Sequence, residues 1–150
     1  MEINTVTVVI SGVSAVIGGT VSHIISWLSG RRRELHRRKS LLRRLVDELQ
    51  TNKNLSRQAR SLAHTEALEK VLLDYPTLLR DVDIDDAVKK LKTIQNYAMV
   101  IRSFAEQSFG TQTIDQVYNT QLIPAIDDAK PLVSKALDYW CRQHWWWFWR

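Results

Sequence analysis

Cysteine is nearly absent. Cys141 is the only one, so the chain forms no internal disulfide and offers no thiolate pair to a metal. Glycine and proline are also scarce, at five and three residues. Four of the glycines, Gly12, Gly18, Gly19 and Gly30, crowd the first thirty positions, and none sits in a phosphate loop or a dinucleotide fingerprint. There is no nucleophile elbow and no zinc spacing, and His23, His36, His64 and His144 are scattered without ligand partners. The adjacent pairs Asp85-Asp86 and Asp127-Asp128 point to different sides of a helix rather than into one site. These absences lead to a non-enzymatic expectation: no catalytic residue, no cofactor, no metal and no small-molecule substrate.

The most informative absence is charge. From Ile3 to Ser29 no side chain is ionisable as an acid, Lys or Arg, and the run stops at Arg31-Arg32-Arg33. As a helix, such a run reaches roughly 40 Å at 1.5 Å per residue, enough to cross a hydrocarbon core of about 30 Å. A cleaved signal peptide would carry its positive charges ahead of the apolar part, and here they follow it. We therefore expect a single spanning helix over residues 1–30.

The net charge of +5 is then a local matter. Residues 31–44 carry eight Lys/Arg against one Glu, whereas 45–150 carry thirteen against fourteen acids. Cations beside a span mark its cytoplasmic end, and each gains about 1 kcal/mol from anionic headgroups. Nucleic acid would call for a free basic surface interleaved with aromatics, and this patch is interleaved with leucines. The expectation is an inner-membrane, single-pass protein, amino terminus outside and C-terminal domain cytoplasmic. Arg31, Arg32, Arg33, Arg37, Arg38, Lys39, Arg43 and Arg44 would bind acidic lipid.

Within the span, small and hydroxyl residues gather on one stripe when placed at about 100° per residue. The stripe comprises Ser11, Ser14, Ala15, Gly18, Gly19, Ser22 and Ser26. Small residues every four positions let two backbones approach closely, a main source of association in lipid. The stripe is a candidate helix-packing surface in a homo-oligomer or a larger membrane complex. It competes with a polar lining of a small pore, and with hydroxyls bonded back to their own helix.

The remainder predicts an all-α fold: one N-terminal transmembrane helix followed by a small cytoplasmic bundle of three to four helices. The basic region continues into a first bundle helix over 31–62, with Leu35, Leu42, Leu45, Leu49, Leu55 and Leu62 on one face. Asn52 and Ser56 interrupt that face, which argues against a coiled coil and for core packing. The rest of the bundle occupies 63–138. Thr65 is a candidate N-cap for a short helix that buries Leu68, Val71 and Leu72 and ends before Pro76. The acids of 81–86 fail as a calcium loop, because Asp86 replaces the required glycine and Lys92 the bidentate acid. They suit an N-cap and the positive end of a helix dipole instead. That helix, over 85–109, carries Ala87, Leu91, Ile94, Ala98, Ile101 and Ala105 along its seam and should end at Gly110 as a left-handed C′ residue. The last helix is expected to kink or break near Pro124 and to restart near Pro131.

Residues 139–150 form an aromatic tail. Trp145, Trp146, Trp147, Phe148 and Trp149 are consecutive and cannot all face one core. With Trp27 and Trp140 they are the candidate membrane-interface residues, since an indole ring prefers the level of the headgroups. Two functions follow from this pattern: a scaffold or accessory subunit of a membrane complex, or a small homo-oligomeric pore-forming or membrane-disrupting effector.

Overall fold

The computed structural model describes the backbone of residues 3–107 and 110–146 and the side chains of 20–107 and 110–142. Every regular element among them is helical. In chain order these are α1 (Ile3–Lys53), a 3-10 segment (Arg57–Leu62), α2 (Glu66–Leu73), α3 (Tyr75–Leu78), α4 (Ile84–Glu106), α5 (Thr111–Val117), a π turn (Tyr118–Leu122) and α6 (Ile123–Trp146). The chain divides into two compact units between Arg37 and Arg38, inside α1.

The second unit is the bundle. Leu42, Leu45 and Leu49 of α1 are fully buried, as are Val71 of α2 and Leu79 after α3. From α4, Ala87, Leu91, Ile94, Ala98 and Ile101 join them, and from α6 Leu122's neighbours Ile126, Ala129, Val133 and Ala136. Burying each large aliphatic side chain contributes roughly 1.5–3 kcal/mol, so these stripes carry most of the stability. Helix α6 runs antiparallel to α1. Lys53 Nζ meets Asp127 at 2.6 Å, Lys130 Nζ donates to Gln50 at 2.6 Å, and the Arg38 guanidinium lies 4.9 Å from the Trp140 ring centre. The number on one helix rises as that on the other falls.

Several expectations are corrected. The first bundle helix ends at Lys53, not near residue 62, and the chain tightens into the 3-10 segment. Leu62 is 64% exposed, and Leu72 is only half-buried, with Ala67 taking its place in the core. Thr65 does stand at the N-cap of α2, but it makes no capping hydrogen bond. The Glu48 carboxylate caps instead, accepting from the amides of Ala67 at 2.8 Å and Leu68 at 3.1 Å. An acid reaching in from another helix satisfies orphan donors and the dipole together. Asp83 caps α4 as expected, accepting from the Asp85 and Asp86 amides. Asp81 just before it takes a left-handed φ of 61°, a conformation that Asp tolerates better than most side chains. Gly110 is not a C′ residue: it is extended, with φ −57° and ψ 144°, and precedes α5.

Neither proline breaks the last helix. Pro124 has no N–H to give the preceding turn, and the Ile123 N–H bonds back to the Tyr118 carbonyl in the wider π turn. The extra residue shifts the buried phase. Ile114, Tyr118, Leu122 and Ile126 follow at intervals of four, so Ile126 and Val133 enter the core where Ala125 and Leu132 were expected.

Candidate functional site

In the first unit, Thr20 to Leu28 are exposed throughout. Val21, Ile24, Ile25, Trp27 and Leu28 are 42–58% exposed. At 100° per residue they cover an arc of roughly 160°, and Ser22, His23 and Ser26 occupy the opposite side. Ser29 Oγ donates to the Ile25 carbonyl at 2.7 Å, the back-bonded arrangement of a hydroxyl on its own helix. Arg31 lies over the Trp27 ring at 5.2 Å, and Arg37 pairs with Glu34 at 3.2 Å. Arg32, Arg33, Arg43 and Arg44 are exposed, while Arg38 and Lys39 are half-buried. Among the described residues no helix is long and apolar enough to cross a membrane. The packing candidates Ser11, Ser14, Ala15, Gly18 and Gly19, with the apolar positions between them, have side chains outside the described residues, as do Trp145 and Trp146. Trp147, Phe148 and Trp149 lie wholly outside them.

Trp140 departs from its sequence reading. It is 7% exposed, and its indole N–H donates to the Leu78 carbonyl at 2.7 Å, satisfying an orphan at the end of α3. Tyr139 packs edge-on to it at 5.3 Å, and Arg38 covers its face. Trp140 is therefore a bundle residue, and the interface group shrinks to Trp27 and the tail beyond it.

A polar network ties the 3-10 connector to the bundle. The side-chain amide of Asn52, 1% exposed, donates to the His64 carbonyl at 2.6 Å and accepts from the His64 amide at 2.8 Å. Tyr118 Oη donates to the Asn52 carbonyl at 2.5 Å, and burial raises its pKa against the opposing pull of the Leu55 backbone and Arg60. Arg60 lies 4.4 Å over the Tyr118 ring and pairs with Asp115 at 2.5 Å, and Arg57 takes the other carboxylate oxygen. Arg102 donates to the Ala63 carbonyl at 2.5 Å. Sequence reading missed this network. Its one visible signal is that Asn52 falls three residues after Leu49, on the buried face.

The Asp115 pair sets a pH dependence. Desolvation pushes the Asp115 carboxyl up, but the hydrogen bond from Arg60 and the charges of Arg57 and Arg60 outweigh it, leaving the pKa below the ordinary 3.8. A depressed folded-state value means that the pair stabilises fully above that ordinary value and is lost as pH falls through the folded one. Asp115→Asn should therefore lower Tm at neutral pH and narrow the gap to the parent as pH drops below about 4. Thermal melts across pH check this; a gap that holds constant into acid contradicts it.

A groove of about 380 Å³ opens between α4 and the π turn with the start of α6, lined among others by Lys89, Tyr97, Gln121 and Asp128. Its central cation is already engaged: Lys90 pairs with Asp86 at 2.8 Å, and that hydrogen bond raises its pKa. The groove holds mixed charge with no convergent set of catalytic groups.

In comparisons with known proteins, no family model, no curated protein and no solved structure matches this chain.

The arrangement thus has two chemically distinct parts. One is an exposed apolar arc continued by cations, suited to lipid. The other is a bundle that satisfies its own buried polar groups.

Proposed function

We propose that this chain is a non-enzymatic, single-pass membrane protein whose bundle serves as a scaffold or accessory subunit of a membrane complex. The carrying observation is the arc of Val21, Ile24, Ile25, Trp27 and Leu28, left exposed on a helix whose uncharged sequence reaches back to Ile3. Large apolar side chains in that density need an apolar solvent, and the bilayer supplies one. Arg31 to Arg33 follow at the depth of the headgroups, and Arg31 over Trp27 is the kind of pair that suits the interface, one end apolar and one end wet. Loops rich in Lys and Arg stay cytoplasmic, so the bundle faces the cytoplasm.

Association is assigned to the small-residue stripe, Ser11, Ser14, Ala15, Gly18, Gly19, Ser22 and Ser26. Ser22 and Ser26 stand opposite the apolar arc, so lipid and a neighbouring helix would take different sides of α1. The test is cross-linking of the full-length chain in membranes, followed by detergent extraction and mass measurement. The parent should run as a discrete assembly, with itself or with a fixed partner. Gly18→Leu should lose at least tenfold of that assembly while remaining in the membrane fraction. Unchanged assembly in Gly18→Leu refutes the stripe, and a monomeric parent refutes the scaffold.

A further inference from the structure

We infer that the C-terminal aromatic run, residues 145–149, is a second membrane contact, delivered to the acidic-lipid surface by α6. The inference rests on the membrane anchoring proposed above. Its own support is the register of the bundle. Because Asp127 lies beside Lys53, Lys130 beside Gln50 and Trp140 beside Arg38, α6 leaves the bundle at the end where α1 enters it. Arg38 follows Ser29 by nine residues, at most about 14 Å of helix. The run 145–149 begins five residues after Trp140, so its aromatics have roughly 7–14 Å of helical reach beyond that point. The two lengths bring the tail within the headgroup layer of a bilayer that ends near Ser29.

Trp140 explains why the tail is directed there. Its N–H is fixed to the Leu78 carbonyl and its face is covered by Arg38, so the last helical turns start from a latched position. The occupant is lipid rather than protein for a chemical reason. Five consecutive aromatics project all round the chain, which suits a medium surrounding them and not a one-sided groove. Arg142, exposed on α6, and Arg150 flank them with charges that anionic headgroups neutralise.

The experiment places a bimane probe on the full-length protein, in a Cys141→Ser background, at Trp147→Cys or at Asn54→Cys. Asn54 is exposed at the far end of α1 and serves as the distal reference. Both chains are reconstituted into phosphatidylcholine–phosphatidylglycerol vesicles carrying a nitroxide high on the acyl chain, and flotation is scored in parallel. The expected result is flotation of both chains, with quenching at 147 at least threefold stronger than at 54. Equal quenching in floating vesicles overturns the tail contact and leaves the anchor standing, as does a tail seated on protein. Failure of both chains to float overturns the anchor and this inference with it.

Discussion

Asn52→Ala is expected to destabilise the bundle by about 2–4 kcal/mol, a larger loss than its position in a polar-looking stretch suggests. The side chain is 1% exposed and makes two hydrogen bonds to one residue, His64. Truncation leaves the His64 amide and carbonyl without partners, and an unsatisfied backbone group costs about 1–3 kcal/mol. The lower half of the summed range applies because both bonds are only partly shielded. A neighbouring clamp, Arg102 on the Ala63 carbonyl, remains but cannot reach residue 64 in the same way. For a domain of this size the change corresponds to a Tm fall on the order of 10–20 °C. Asn52→Asp should lose nearly as much at neutral pH, because a carboxylate accepts from the amide but sets an acceptor against the carbonyl. Thermal unfolding of the full-length protein in detergent checks both. A change under about 0.5 kcal/mol would place Asn52 among ordinary surface positions.

Val21→Arg separates the two environments open to α1. Val21 is 48% exposed in the structure, so if water surrounds it the substitution is nearly neutral, within about 0.5 kcal/mol. In a bilayer the same site lies about 12 Å inside the end marked by Ser29. An arginine at the helix centre costs about 2.5–3.5 kcal/mol on insertion scales, against a small gain for valine. Allowing for its distance from the midplane, about 2 kcal/mol remains, roughly a thirtyfold shift in insertion. The two environments therefore predict different outcomes, a large loss or none.

The helical class and most of the core were legible from spacing. Leu42, Leu45, Leu49, Leu91, Ile94 and Ala98 recur at helical intervals, and all are buried. Three kinds of feature were not legible. The first is long-range capping: Thr65 has the chemistry of an N-cap, but Glu48, near it only after folding, wins the amides of α2. The second is helix phase: Pro124 was read as a break, whereas a π turn absorbs its missing donor and moves Ile126 inward. The third is polar burial. Asn52 reads as an interruption of an apolar stripe, and Trp140 as part of an aromatic tail. Each is buried because a specific backbone carbonyl or amide, on His64 or Leu78, stands ready to pair with it. Such partners are distant in sequence and leave no local mark. The candidate lipid surface was more legible, since it depends on runs of composition, the uncharged stretch and the eight cations of 31–44, rather than on contacts.

The measurement that tests the central claim most directly is the partition of the parent and Val21→Arg chains after alkaline carbonate extraction of membranes from expressing cells. Bilayer insertion of α1 predicts that the parent stays in the pellet and that a large fraction of Val21→Arg moves to the supernatant. Release of the parent itself, with the two chains partitioning alike, would contradict the account.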